Sequence, residues 1–215
     1  MKGSVSVDEV RDWISQRLDP INDIEPVAAV NSDFDLNKTW RPFDPAAPAT
    51  MAAVLVPIVK REEGLTVLLT KRSDGLRNHS GQIALPGGRR DPGESLWQTA
   101  LREAEEEIGL DRSFVDLIGL SSPYRTGTNF LVTPVVGFVR PGFSLRPNPG
   151  EVDDIFETPF GFLMDPANYE QHEWRSPEGA TRRYYAATHE DRYIWGATAG
   201  MLRALYDRLY GAAIA

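Results

Sequence analysis

The feature that most constrains this chain lies between residues 95 and 109. Leu96, Ala100, Ala104 and Ile108 recur every fourth residue, which is the buried stripe of an amphipathic helix. Ser95 followed by Gln98 has the form of a capping box. Gly109 supplies the left-handed residue on which helices commonly end. The spacing therefore predicts a helix over about 96–108. On it Glu103, Glu106 and Glu107 stand at i, i+3 and i+4, so their carboxylates emerge side by side.

Three such carboxylates repel one another by roughly 0.2–0.5 kcal/mol per pair on an exposed helix, and by more when partly buried. A hard divalent cation would offset that repulsion. Mg²⁺ takes one or two carboxylates and completes its shell with water and phosphate oxygens. A plain solvated acidic face is the alternative, and the residues just upstream weigh against it. Leu85-Pro86-Gly87-Gly88-Arg89-Arg90-Asp91-Pro92-Gly93-Glu94 places two adjacent glycines ahead of the helix. Gly87 and Gly88 let backbone approach a ligand closely, and a loop feeding a helix start offers N–H groups to anions. Glu94 and Arg102, eight residues apart, are positioned for an ion pair tying loop to helix, a structural role.

Around this segment the chain has one organised body and an N-terminal arm. Val7, Val10, Trp13, Ile14 and Leu18 repeat at helical spacing. Residues 19–48 carry five prolines and few apolar side chains, so 1–48 is expected to form a helix and an extended arm, with the folded domain in 49–215. Ala52–Val59 and Leu65–Leu69, joined through Arg61-Glu62-Glu63-Gly64, predict a β-hairpin, with Pro57 at an edge or a bulge. Further strands are expected at 114–120, 131–139, 151–156, 181–187 and 192–195, and a short helix from Thr158 as cap with Pro159 in its first turn. A last helix over about 197–210 has Met201, Leu202, Leu205 and Leu209 on one stripe. The pattern is that of an α/β layered domain.

Composition removes several function classes. The absence of cysteine excludes disulfide scaffolds, thiol nucleophiles and thiolate metal sites. A net charge of −8 argues against gripping a nucleic acid backbone. No run approaches 18 apolar residues and the first residues are too polar for a signal peptide, so no membrane partner and a cytoplasmic location are expected.

Taken with its spacing, the central segment resembles the signature of the Nudix hydrolases: Gly88, five residues, Glu94, seven residues, then Arg102-Glu103-Ala104-Glu105-Glu106-Glu107-Ile108-Gly109-Leu110. All seven fixed positions agree, a coincidence with chance probability below about 10⁻⁷ at ordinary residue abundances. Leu68-Leu69-Thr70-Lys71-Arg72-Ser73, Arg77 and Gly81, leading to Pro86-Gly87-Gly88, are similar to the additional motif of the coenzyme A diphosphatase branch, with Leu85 in place of the usual Phe. Thr133-Pro134-Val135-Val136-Gly137 and Tyr193-Ile194-Trp195-Gly196-Ala197-Thr198 are also similar to that branch.

The resemblance implies an α/β/α sandwich around a mixed sheet and a metal-dependent hydrolase that uses Mg²⁺ or Mn²⁺. It implies Glu103, Glu106 and Glu107 as metal ligands, with Glu103 and Glu107 foremost and a catalytic part for Glu103 and Glu106. Glu151 and Glu157 stand as outside candidates for the general base. Arg72, Arg77, Gly87 and Gly88 would bind the substrate, coenzyme A or a derivative, giving 3′,5′-ADP and 4′-phosphopantetheine or its acyl form. His79, Arg125, Arg182 and Arg183 are further cations that could approach it. Tyr124 or Phe130 could stack on adenine, and Trp195 is read as packing. ADP-ribose, a dinucleotide or an oxidised nucleotide is the alternative substrate, and a non-hydrolytic ligand-sensing module the second alternative. The arm could embrace its own core or that of a homodimer partner.

Overall fold

The computed structural model describes residues 6–22, 31–37, 40, 42–44, 47–75, 81–175 and 181–211. Helix α1 (Val7–Ser15) starts at a reciprocal cap in which Glu9 N–H donates to Ser6 Oγ and Ser6 N–H to Glu9 Oε2. A short strand β1 (Asn31–Ser32) precedes the hairpin of β2 (Thr50–Arg61) and β3 (Gly64–Arg72). Then come β4 (Ile83–Ala84), β5 (Gly87–Arg89) and helix α2 (Leu96–Ile108). Strands β6 (Val115–Leu120), β7 (Tyr124–Arg125), β8 (Phe130–Val139) and β9 (Val152–Pro159) lead to a one-turn α3 (Phe160–Leu163). A meander of β10 (Glu170–Arg175), β11 (Thr181–His189) and β12 (Arg192–Trp195) runs into α4 (Gly196–Tyr210).

Among the described residues nine strands form a mixed sheet built around β2, which pairs parallel with β8 and antiparallel with β3 and β5. Both faces of β2 are buried, and its side chains divide by parity. Ala53, Leu55 and Val59 join Leu68, Val135 and Val139 under Leu96, Ala100, Ala104 and Ile108 of α2. Val54, Val56 and Ile58 join Val67, Leu69 and Val136 on the other face, covered by Ile14 of α1, Leu163 of α3, and Leu202, Leu205 and Leu209 of α4. That is the expected α/β/α sandwich, and the apolar run of β2 is what a strand covered on both faces requires.

The structure corrects the sequence reading at several elements. Pro57 is at neither an edge nor a bulge: it pairs with Gly137 of β8 in mid-sheet. It is tolerated because it falls between the residues that β5 and β3 take up on the other side of β2, 52–54 and 58–61. Strand β9 continues through Thr158 and Pro159, so Pro159 rather than Thr158 caps the short helix. Helix α1 stops at Ser15, although Leu18 beyond it is still buried. Strand β10 was not anticipated; its sequence, Glu-Gln-His-Glu-Trp-Arg, lacks an apolar face to announce it.

Described parts of the arm are bound to the domain by polar contacts. Asp19 and Leu120 exchange backbone hydrogen bonds of 3.0 and 2.8 Å. Buried Asn37 donates through Nδ2 to the carbonyls of Asp33 and Arg183, while its Oδ1 accepts from Arg183 N–H at 2.7 Å. Asn37 thus acts as a strand partner for β11. Replacing it with alanine leaves these backbone groups unpaired, so Asn37→Ala should lower stability by about 2 kcal/mol, read as an earlier midpoint in urea unfolding.

Candidate active site

The site is assembled where α2, β5 and the end of β3 meet. Gly87 and Gly88 do not form an open loop; they pair with Val54 and Ala53 as strand β5. A Cβ on Gly87 would lie 2.4 Å from Ala53 O and 2.5 Å from Val54 Cα, so this backbone can reach β2 only without a side chain. A Cβ on Gly88 would lie 2.5 Å from the Glu103 carboxyl carbon. The two glycines therefore serve different neighbours, one the sheet and one the acidic helix.

Glu107 is 3% exposed and accepts a hydrogen bond from Gly87 N–H at 3.0 Å. Arg72 Nη1 lies 3.7 Å from its other oxygen. Burial nevertheless dominates and pushes the Glu107 carboxyl up to about 7, with the Gly87 bond and Arg72 opposing and the charges of Glu103 and Glu151 adding to the rise. Glu103 is raised as well, first by burial, against the hydrogen bond from Arg102.

Arg102 organises the outer part of this group. It donates from Nε to Glu94 at 2.8 Å, from Nη1 to Glu103 at 2.9 Å and to Glu106 at 3.0 Å, and from Nη2 to the Arg89 carbonyl at 3.1 Å. Glu94 is held further by Thr99 Oγ1 at 2.9 Å, and its carboxyl lies below the ordinary range, chiefly because of Arg102. Glu106 stays half-exposed on the Arg102 side.

Arg72 arrives through a feature invisible in the sequence. The pairing of β3 with β9 shifts register between Lys71 and Arg72, and such irregularities re-aim a side chain. Its Nε is buried without a hydrogen-bond partner. Glu151, expected only as an outside candidate, belongs to this neighbourhood, because its charge acts on both Glu103 and Glu107. Its loop is docked on the end of α2 by Arg146 N–H to Ile108 O and Asn148 N–H to Glu107 O, both 2.8 Å. Glu157 is elsewhere: it is bound by Arg61 and Thr66 and faces Leu68 across the sheet.

Tyr124 is no stacking platform, since it is buried with its hydroxyl donating to Asp33 at 2.9 Å. Phe130 packs against the core. Arg125 donates to the Ala47 carbonyl, and Arg183 is engaged by Asn37 and Glu173. Arg77 and His79 lie outside the described residues.

Among the described residues, no three His, Asp or Glu side chains converge as a ready-made metal cage. The donor chemistry still fits a hard divalent cation: Glu103 and Glu107 are two mostly buried carboxylates, the charge of Glu103 adds to the rise at Glu107, and all the donors are oxygen. His and Cys ligands, which would favour zinc, do not enter.

The NUDIX domain family matches residues 49–191. A protein of Yersinia enterocolitica serotype O:8 / biotype 1B (strain NCTC 13174 / 8081), named as the uncharacterized Nudix hydrolase NudL, is 42% identical over 181 residues, covering 83% of this chain and 90% of that protein. The protein of the same name from Yersinia pestis (strain Pestoides F) is 42% identical over 159 residues, covering 74% of this chain and 79% of its own length. Among solved structures, a C. elegans Ap4A hydrolase binary complex is similar over 51% of this chain and 80% of its own, at 21% identity and a TM-score of 0.46.

Two outcomes follow from the geometry. Ionising Glu107 opposes folding, because its folded value of about 7 exceeds the ordinary 4.5. The metal-free protein should therefore lose about 2 kcal/mol as pH rises from 5 to 7.5. Glu107→Gln should remove this contribution and leave only the same-signed slope of Glu103, as read by thermal unfolding across that range. The glycines should separate as well. Gly87→Ala should cost about 2–4 kcal/mol of stability through collision with β2. Gly88→Ala should leave the melting temperature nearly unchanged while displacing the Glu103 carboxylate and lowering turnover by about tenfold or more.

Proposed function

We propose that this chain, which belongs to the Nudix hydrolase family, hydrolyses the diphosphate linkage of coenzyme A or its thioesters. The products would be 3′,5′-ADP and 4′-phosphopantetheine or its acyl form. The observation that carries the substrate assignment is Arg72. The segment Leu68–Gly88 that resembles the coenzyme A diphosphatase motif ends β3 with a guanidinium 3.7 Å from Glu107 and a buried, unpartnered Nε. A phosphate oxygen is the ligand such a donor suits.

Glu103 and Glu107, with Glu106 beside them, would hold Mg²⁺ or Mn²⁺. When bound, the ion would neutralise phosphate oxygens and lower the pKa of water. The chain's own residues would do the rest. Glu103, with its proton affinity raised by burial, suits the role of general base toward the attacking water, and Glu151 is the second carboxylate in reach of that role. Arg102 would hold Glu103 and Glu106 in place, and Glu94 would hold Arg102, without either touching substrate. Arg72 would meet the negative charge of the diphosphate. The presence of every carboxylate of the signature supports hydrolysis over a sensing role.

The test is turnover of coenzyme A beside ADP-ribose, NADH and 8-oxo-dGTP, with Mg²⁺ and with Mn²⁺. Coenzyme A should be split into 3′,5′-ADP and phosphopantetheine. Glu107→Gln should lower kcat by at least 100-fold, and Arg72→Ala should raise KM by about tenfold. Preference for another of these substrates would keep the hydrolase and discard the coenzyme A assignment. Tight ligand binding without turnover of any of them would favour a sensor.

A further inference from the structure

The meander β10–β12 presents an unusual outer face. Its inner face supplies Tyr185, Ala187 and Ile194, which pack into the core under α4. An antiparallel sheet covered on one side ordinarily turns polar residues to water on the other. Here the pairing places Trp174 opposite Arg182, His172 opposite Tyr184, Ala186 opposite Trp195 and Thr188 opposite Tyr193, all on the outer side. Trp174 is 53% exposed and Tyr193 is 38% exposed.

The rings are mutually braced. Tyr184 and Trp195 lie 5.3 Å apart between centroids, Tyr193 and Trp195 6.5 Å, and His172 and Tyr184 5.9 Å. Trp174, Arg182, Tyr184, Tyr193 and Trp195 line a groove of about 390 Å³. That is the size of a small-molecule site rather than of a protein interface. Arg182 is fixed at its side: Nη2 donates to buried Asp33 at 2.9 Å, the guanidinium lies over the Trp40 ring at 4.8 Å, and Nε has no partner.

The groove adjoins the candidate active site through the fold. Strand β12 packs beside β4, and Thr198 Oγ1, three residues beyond Trp195, donates to the Ile83 carbonyl of β4 at 3.1 Å. Strand β4 pairs with β3 at Thr70 and Lys71, next to Arg72. Only β4 therefore intervenes between the Trp195 end of the groove and the strand that delivers Arg72.

We propose that this aromatic face is the nucleobase subsite: a purine seats in the groove lined by Trp174, Tyr184, Tyr193 and Trp195 and stacks on the exposed rings of Trp174 and Tyr193, with Arg182 toward an adjacent phosphate, while the diphosphate lies at Arg72 and Glu107. A flat π-system takes any base by its face, and a cation beside it suits the phosphate-bearing sugar. The inference rests on the reading of the chain as a nucleotide-derivative hydrolase. It moves the aromatic contact from Tyr124 and Phe130 to a sheet outside the nine-stranded one, and assigns Trp195 a ligand face as well as packing.

The test titrates the protein with adenosine 3′,5′-bisphosphate and with base-free ribose 5-phosphate, following tryptophan fluorescence and calorimetric heat. Wild type should bind the bisphosphate and not the sugar phosphate. Trp174→Ala and Tyr193→Ala, both exposed positions, should each weaken binding about tenfold (~1.4 kcal/mol), within the range of one stacked base, and should raise KM for coenzyme A more than they lower kcat. Circular dichroism and melting curves of both variants establish that they fold. Unchanged affinity in both folded variants would overturn the proposal, even if coenzyme A is hydrolysed. If coenzyme A is not hydrolysed yet base-dependent binding is lost in the variants, the subsite stands and the coenzyme A reading fails. A wild-type dimer in sedimentation that both variants dissociate, without base-dependent binding, would make the face an interface between copies and overturn the proposal.

Discussion

Arg102 donates to Glu94, Glu103, Glu106 and the Arg89 carbonyl with its side chain four-fifths buried. Without that guanidinium, α2 would carry neighbouring carboxylates against one another in partial burial, an arrangement that costs more than on an exposed helix. With it, the charge is distributed. Glu94 and Glu106 are held on the outer side, and Glu103 is steadied at the inner side against Gly88. Glu107 is beyond its reach, and there the compensation comes from Gly87 N–H and Arg72. The burial of Glu107 outweighs both, leaving a site where added positive charge would be favourable.

The same glycines explain why the acidic helix and the sheet can come so close. Strand β5 is three residues long and lies between β2 and α2. Any side chain at Gly87 would push this strip off β2, and with it the N–H that Glu107 uses. The bond from Gly87 N–H to Glu107 therefore depends on a backbone approach that leaves no room for a Cβ. Two-sided burial of β2 makes that approach rigid, because neither layer can move without opening the core on its own face.

Much of this was legible in the chain. The four-residue repeat located α2, and Gly109, at φ 66°, ends it as expected. The hairpin, β6, β8 and α4 followed from apolar runs and stripes. What escaped had no one-dimensional signal. The register shift that aims Arg72 depends on how β3 meets β9. The entry of Glu151 depends on a loop that folds back onto the end of α2 through backbone hydrogen bonds. Tyr124 and Phe130 sat in the right kind of segment for a stacking role, but burial against α4 and the core settles their surroundings otherwise. Strand β10 escaped because neither of its faces is apolar, while the meander as a whole reverses the alternation by which half-buried strands are recognised, turning its rings outward.

That reversal bears on the role of the arm. Asp33 accepts from Tyr124 Oη, Gly127 N–H and Arg182 Nη2, and Asn37 pairs with the backbone of Arg183 on the same strand. Trp40 lies beneath the Arg182 guanidinium. Three arm residues thus position one side of the aromatic groove, while the groove's other end is tied through Thr198 and β4 to the strand carrying Arg72. A cation held between a buried carboxylate and an indole ring loses little conformational freedom when an anion arrives. Arm and meander together would therefore do for one end of an extended ligand what α2 and β5 would do for the other: each immobilises a charged group on backbone already fixed by the core.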